Sequence, residues 1–271
     1  MRVLLQLQQT KVPQRVPLNL NLLQTGLIYN LIEKSDPAFS QWLHEQGYQH
    51  AIGSLKKFKL FNFSPLQVEK KHRRIVGDQL EISSSHVEWI LSSPSAEVLR
   101  HLVSGLFSSA LRLGSAQFQL TQAQTEVLPD FNELASRSPV AFTCLSPIVV
   151  SRRESPGSSR TVFLTTDDPV GFSEGVRRNL INKYIAVHGH APTDDRLELR
   201  FDEKYLTRLK SQGKPATKLI SIHDIQVRGV LCPFTLTGSP LLMKTGYSAG
   251  FGEKNSLGFG MSKVSERTQR L

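Results

Sequence analysis

The order in which strand-like and helix-like segments follow one another most constrains the fold. Residues 2–9 alternate apolar and polar side chains as a strand does, and four leucines then recur at helical spacing over residues 20–31. After a short helix that begins at Asp36–Pro37 and ends at Gly47 come the strand-like runs KKFKLFNFS, RRIVGDQLEIS and HVEWIL, a helix over about 95–108 and a strand near 117–128. The first half therefore reads βαββαβ with one added short helix, the order of a ferredoxin-like split βαβ unit.

The second half repeats this order. Strand-like AFTCLSPIVVS and RTVFLTT precede a helix that begins at Asp168–Pro169; LELRF, TKLISIHD and IQVRGVLCPFTLTG follow as strands, SPLLMKTGYSA as a helix and LGFGMSKV as a closing strand. The segment at 151–160, rich in Ser, Arg and Gly, is typical of an exposed hairpin tip. We predict an α+β protein of two tandem ferredoxin-like (RRM-like) βαββαβ domains, residues 1–136 and 137–271, with a glycine-rich loop near the carboxyl end.

Charge and composition narrow the classes of function. Lys and Arg outnumber Asp and Glu by 33 to 23, a net charge of +10 that suits a polyanion such as nucleic acid or an acidic membrane surface. The sequence contains no run of eighteen apolar residues, and the apolar run near the amino terminus is too short for a signal peptide. We therefore expect a soluble, cytoplasmic protein without a membrane partner. Cys144 and Cys232 lie far apart in apolar strand-like contexts, which favours buried, reduced thiols over a disulfide or zinc framework.

The glycine-rich run GYSAGFGEKNSLGFG, residues 246–260, follows a predicted helix and leads into a final strand. A dinucleotide fingerprint must instead follow a strand and begin a helix, and no Gly-Lys-Ser or Gly-Lys-Thr triplet completes a Walker A loop. We therefore expect neither a nucleotide cofactor nor a metal. Two interpretations stay open: a loop whose amides and Lys254 hold phosphates of a nucleic acid, and a turn whose glycines allow close packing against protein backbone.

The run GFGEKNSLGFG closely resembles the carboxyl-terminal glycine-rich loop of the CRISPR-associated endoribonucleases that cut repeat-containing precursor RNA, the sixth Cas family of the repeat-associated mysterious protein superfamily. The resemblance continues through LIYNLI, FSQWLHEQGY, KKFKLFNFS, LSPIVVS, RRNLINKY and VRGVLCPFTLTGSPLL. It implies two ferredoxin-like domains, in agreement with the element order. It also implies binding of CRISPR repeat RNA and metal-independent cutting of the guide precursor by 2'-hydroxyl attack, which leaves 5'-hydroxyl and 2',3'-cyclic phosphate ends.

The resemblance also implies catalytic residues. His44 stands where the family commonly carries a catalytic histidine, and imidazoles exchange protons near neutral pH. Tyr29 stands where some relatives carry a second catalytic residue; it lies about 200° around the helix from Leu27, away from the leucine stripe. A lysine completes the set in some relatives, and Lys57 and Lys59, on one face of the predicted strand, are equal candidates.

The candidate RNA contacts combine the loop with nearby basic side chains. They are Gly250, Gly252, Lys254, Asn255, Ser256, Gly258, Gly260, Arg73, Arg74, Arg177, Arg178 and Lys183. His188 and His190 flank Gly189 without a nearby acidic cluster, so we do not predict a metal site there. Three questions stay open: whether the protein is a catalytically silent repeat-RNA subunit, whether it joins other Cas proteins in an effector complex, and whether it forms a homodimer. A sheet-face RNA recognition module is disfavoured because the expected RNP1 pattern is absent.

Overall fold

A computed structural model describes residues 1–50, 57–107, 110–137, 139–155 and 157–265 of the chain. These residues fall into two compact units. The first unit comprises residues 1–48, 59–128 and 256–258; the second comprises residues 49–58, 129–255 and the described residues from 259 onward. No described helix is both long and apolar enough to cross a bilayer.

The first half of the chain forms strands and helices in the predicted order. The strands are β1 (Arg2–Gln9), β2 (Gln14–Pro17), β3 (Tyr48–Gln49), β4 (Lys57–Phe58), β5 (Asn62–Phe63), β6 (Arg73–Val76), β7 (Gln79–Ile82), β8 (His86–Ser92), β9 (Leu111–Leu113) and β10 (Ala116–Glu126). The helices are α1 (Asn21–Ser35), α2 (Pro37–Glu45) and α3 (Ala96–Phe107). The main sheet has the order β5-β8-β1-β10-β9, so the second, third, first and fourth strands of a βαββαβ unit lie side by side, with β9 added at one edge.

The core of the first unit follows from the two periodicities. On β8 the alternate residues Val87, Trp89 and Leu91 are buried, as expected for a strand with one face on the core. Helices α1 and α3 bury residues three and four positions apart, for example Leu27 and Leu31 on α1. The Trp89 indole N–H donates to the carbonyl of Ser64 at 2.9 Å, which satisfies its only polar group within the core.

The second half of the chain repeats the topology. Its strands are β11 (Val140–Cys144), β12 (Ser151–Arg153), β13 (Thr161–Phe163), β14 (Leu197–Phe201), β15 (Thr217–Ile222), β16 (Ile225–Val230), β17 (Phe234–Gly238) and β18 (Ser262–Val264). Its helices are α4 (Phe131–Ser136), α5 (Pro169–His188), α6 (Glu203–Ser211) and α7 (Pro240–Ala249). The sheet order β14-β17-β11-β18 again places the second, third, first and fourth strands side by side. The predicted α+β class with tandem ferredoxin-like folds is confirmed.

Several local features differ from the prediction. The run KKFKLFNFS is not one strand, because Leu60 has a positive φ of 52° and separates β4 from β5. Only the last residues of LGFGMSKV form a strand. The main division between the two units falls between Leu128 and Pro129, ahead of the predicted division at 136/137, and Phe131 of α4 stacks on Phe142 within the second unit.

Helix α6 was not predicted. Its sequence signal is modest: Asp202 accepts a hydrogen bond from the backbone N–H of Tyr205 at 2.9 Å and so begins the helix, yet no residue of α6 is fully buried. Within the segment 151–160, the first three residues form β12, which pairs with β13 in an antiparallel manner as expected for a hairpin; residue 156 lies outside the described residues.

Candidate active site and glycine-rich loop

His44 lies in the last turn of α2, and the local sequence explains why the helix ends there. Asp36 begins the helix by accepting the backbone N–H of Phe39 at 2.9 Å, and Pro37 occupies the first turn, where its missing N–H costs nothing. Gly47, with a φ of 63°, follows the end of the helix. Leu43 is buried and fixes the helix, whereas the neighbouring His44 is exposed. Solvent and ligands can therefore reach the imidazole.

Tyr29 of α1 contacts His44 directly. The two rings meet edge to face with their centroids 5.2 Å apart, and Tyr29 makes a second edge contact with Phe61 at 5.7 Å. Burial raises the pKa of Tyr29 to about 12, so its hydroxyl keeps its proton throughout the physiological range. The structure thus brings together two residues that lie on different helices, and the Tyr29 hydroxyl carries its proton at neutral pH.

The two candidate lysines have different settings. The ammonium of Lys59 donates to the backbone carbonyl of Leu43 at 2.6 Å and also to that of His44, so its charge lies at the carboxyl end of α2. A cation at this position compensates the partial negative charge of the helix end. Lys57 belongs to the second unit, where its side chain is exposed on β4. The strand-face argument that treated the two as equivalent was wrong, because Leu60 breaks the strand.

The tip of the glycine-rich loop, residues 256–258, packs on α1 within the first unit. The Asn21 side-chain amide donates to the carbonyl of Leu257 at 2.5 Å, and the Thr25 hydroxyl donates to that of Ser256 at 3.0 Å. Asn21, Thr25 and Tyr29 are spaced four residues apart and share one face of α1. The tip therefore contacts this face about 6 Å, one helical turn, before Tyr29. Sequence reasoning missed Asn21 and Thr25, although their spacing from Tyr29 was visible.

Lys183 was predicted to bind RNA, but it builds the loop. Its side chain is only 2% exposed, and its ammonium donates to the carbonyls of Gly250 at 2.6 Å and Gly252 at 2.8 Å and to the Asn255 side-chain oxygen at 2.6 Å. The Asn255 amide is also buried and donates to the carbonyls of Phe251 and Phe259. Lys183 and Asn255 thus bind the carbonyls of Gly250, Phe251, Gly252 and Phe259, and both side chains are buried.

The glycines themselves are used largely against protein atoms. A Cβ at Gly258 would lie 2.6 Å from the Phe63 ring, and one at Gly260 would overlap the carbonyl of Phe251; both glycines have a positive φ, 79° and 77° respectively. Close packing explains these two positions. Lys254, at a positive φ of 58°, is partly exposed and forms no ion pair with any residue in the described ranges, so it is the loop cation that a ligand can reach.

Comparison with known proteins identifies the family. The model for CRISPR-associated protein Cas6, N-terminal, matches residues 15–124, and the model for CRISPR associated protein Cas6, C-terminal, matches residues 130–264. CRISPR-associated endoribonuclease Cas6 1 of Methanocaldococcus jannaschii is 30% identical over 273 residues, covering 100% of this chain and 95% of the relative. The chain belongs to the Cas6 family of CRISPR-associated endoribonucleases.

Further Cas6 proteins agree with this assignment. CRISPR-associated endoribonuclease Cas6 of Pyrococcus furiosus is 29% identical over 251 residues, covering 92% of this chain and 84% of the relative. A solved CRISPR associated protein Cas6 superposes with a TM-score of 0.73 at 28% identity, covering 98% of this chain and 99% of that one. A solved RAMP protein that binds different RNA substrates superposes with a TM-score of 0.75 at 25% identity and the same coverage of both chains.

The arginines predicted to contact RNA differ in the ion pairs that they form within the protein. Arg177 is bound to Asp195 at 2.6 Å and to Glu174, and Arg74 is bound to Glu81 at 2.5 Å. Arg178 is 67% exposed in its side chain and lies 3.7 Å from Glu174, a weak surface pair. Arg73 is exposed on β6. Among these four arginines, Arg73 and Arg178 can therefore bind a phosphate with the smallest loss of existing ion pairs.

Proposed function

We propose that this protein binds CRISPR repeat RNA and cuts the precursor transcript within its repeats to yield mature guide RNA. The cut proceeds by attack of the 2'-hydroxyl on the adjacent phosphate, needs no metal ion, and leaves 5'-hydroxyl and 2',3'-cyclic phosphate ends. One observation carries the proposal: an exposed His44 in edge contact with a proton-holding Tyr29, one helical turn beyond the packed loop tip.

The two side chains divide the proton transfers. His44 takes the proton of the 2'-hydroxyl as its oxygen forms a bond to phosphorus. The bond from phosphorus to the 5'-oxygen breaks, and Tyr29 donates its proton to that oxygen, because a departing alkoxide is a stronger base than a tyrosinate. The tyrosinate then recovers a proton from the His44 imidazolium, and the balance of protons is restored.

Lys59 acts as a positioning residue in this scheme. Its ammonium is bonded to the carbonyls of Leu43 and His44, so it fixes the end of α2 and the backbone from which the imidazole extends. Because this ammonium is already bonded to two carbonyls, stabilisation of the scissile phosphate requires a different cation.

The proposal is tested by single-turnover cutting of labelled repeat RNA in the presence of a chelator. We expect His44→Ala to cut about 10²- to 10⁴-fold more slowly than the unmodified protein while its RNA affinity is retained. Glu45→Ala, at the exposed neighbour on the same turn, is the matched control and should cut normally.

Two outcomes would contradict the proposal. Undiminished cutting by His44→Ala would remove this residue from the chemistry, and cutting that requires an added divalent ion would exclude the metal-free route. Tight RNA binding without any cutting by the unmodified protein would favour the silent RNA-binding subunit instead.

A further inference from the structure

Three aromatic rings meet at the carboxyl end of α5, within the second unit. Tyr184 lies 4.2 Å from His188 and 5.8 Å from His190, measured between ring centroids, and the two imidazoles lie 6.1 Å apart. Gly189 ends the helix with a φ of 78°, and this left-handed turn brings His190 back beside Tyr184. The cluster plays no part in the chemistry assigned to His44.

The cluster is open on its outer side. Tyr184 is only 8% exposed and forms a floor, whereas His188 and His190 are both exposed. The His188 ring is tilted 39° to the Tyr184 ring that it contacts, and the His188 side chain as a whole is exposed, so part of its imidazole is open to a ligand. Lys244 of α7 is exposed, and its charge acts on the same group: partial burial, His190 and Lys244 together lower the pKa of His188.

The chemistry of the cluster disfavours a cation as its ligand. It offers two imidazoles, and no group of three or more His, Cys, Asp or Glu side chains suited to a metal occurs in the part of the chain that the structure describes. The ammonium of Lys244 would also repel a metal ion. Open imidazole faces beside a lysine match a different ligand, a planar base attached to a phosphate, since unpaired bases stack on aromatic side chains including histidine.

We propose that Tyr184, His188, His190 and Lys244 form a subsite for one unpaired nucleotide of the RNA. The base stacks on the exposed imidazoles, and Lys244 contacts the adjoining phosphate. This inference rests on the proposed function, because it extends the RNA-binding surface beyond the loop.

The position of the subsite supports this extension. Helix α7 carries Lys244 and leads directly into Gly250 at the start of the loop, six residues or about 9 Å further along the helix. On α5, Lys183 precedes Tyr184 and is the residue whose ammonium holds Gly250 and Gly252. Both helices that form the subsite therefore also hold the beginning of the loop.

The test measures binding of fluorescein-labelled repeat RNA by anisotropy at several salt concentrations. We expect the double variant His188→Ala/His190→Ala to bind roughly 5- to 100-fold more weakly with an unchanged salt slope, because stacking releases no counterions. His188→Phe/His190→Phe should retain most of the affinity, since it preserves aromatic faces. Lys244→Ala should lower the salt slope by about one unit.

The outcomes separate this inference from the proposed function. If the unmodified protein binds and cuts repeat RNA but the double alanine variant binds equally well, the subsite is refuted and the function stands. If Phe and Ala variants are equally weak, or Lys244→Ala leaves the slope unchanged, the stacking or the phosphate contact is refuted in turn. Stoichiometric Zn²⁺ binding that the double alanine variant loses, with RNA affinity unchanged, would establish a metal site instead. Neither binding nor cutting by the unmodified protein would remove both proposals.

Discussion

Replacement of Lys183 by methionine should lower the stability of the protein, because it removes hydrogen bonds that hold the glycine-rich loop, rather than remove a contact to an RNA phosphate. The change deletes a buried ammonium that donates to the carbonyls of Gly250 and Gly252 and to the side chain of Asn255. Each lost hydrogen bond to a charged donor is worth about 1.5 to 3 kcal/mol, and methionine recovers part of this through apolar packing. We therefore expect the free energy of unfolding to fall by about 3 to 5 kcal/mol, because three buried acceptors lose this donor.

Urea unfolding of Lys183→Met, followed by circular dichroism, measures this loss; tryptophan fluorescence reports separately on the first unit, which contains Trp42 and Trp89. Arg178→Ala is the matched control, because Arg178 lies on the same helix but is mostly exposed, and its stability should change by less than about 0.5 kcal/mol. A Lys183→Met protein of unchanged stability whose RNA salt slope drops by one unit would refute the reasoning and restore Lys183 as a direct RNA contact.

Three further predictions concern individual side chains. Lys59→Met should slow cutting while RNA affinity stays constant, because the end of α2 that carries His44 loses the ammonium bonded to its carbonyls; cutting at the unmodified rate would contradict this positioning role. Tyr29 should titrate near pH 12, as measured by absorbance at 295 nm. Because its pKa in the folded protein exceeds the ordinary value of 10, Tyr29 contributes about 2 to 3 kcal/mol to the free energy of unfolding, and this contribution is complete below pH 10 and is lost as the pH rises through 12. Tyr29→Phe should abolish this dependence of stability on pH. Cys144 and Cys232, whose pKa values burial raises to about 12, should resist iodoacetamide at pH 8 until the protein is unfolded, and rapid alkylation of the folded protein would contradict this.

The fold could be predicted from the sequence because apolar residues recur at the spacing of a strand or of a helix in most of its elements. Strands β1 and β8 alternate, and α1 and α3 bury residues at helical spacing. The errors occur where a single backbone conformation decides the outcome. The positive φ of Leu60 interrupts an apolar segment whose sequence is typical of one strand. Leucine rarely adopts a positive φ, so its identity does not predict this break.

The sequence contained a signal that Lys183, which we predicted to contact RNA, lies on the buried face of its helix. Lys183 is spaced three and seven residues from Leu180 and Val176, both buried on α5, so periodicity placed it on the inner face of the helix. Its charge suggested the surface instead, because lysine is rarely buried without partners. Those partners are backbone carbonyls of a loop about seventy residues later in the chain, and no local pattern could supply them.

The candidate site was predictable only in part. The resemblance to the family singled out His44 and Tyr29, and their ring contact at 5.2 Å agrees with a shared site. The sequence did not distinguish Lys57 from Lys59, whereas the structure shows the Lys59 ammonium bonded to carbonyls at the end of α2 and places Lys57 in the second unit. The roles of these residues in RNA cutting stay predictions.

The most direct test of the account replaces a single ribose by deoxyribose on the 5' side of the scissile phosphate in a repeat RNA. This change deletes the proposed nucleophile but leaves every phosphate charge in place, so affinity should be retained. The account predicts that the unmodified protein binds this RNA normally and does not cut it, whereas the all-ribose RNA gives 5'-hydroxyl and 2',3'-cyclic phosphate ends in chelator. Efficient cutting of the deoxyribose-containing RNA at the same phosphate would contradict 2'-hydroxyl attack, and with it the roles assigned to His44 and Tyr29.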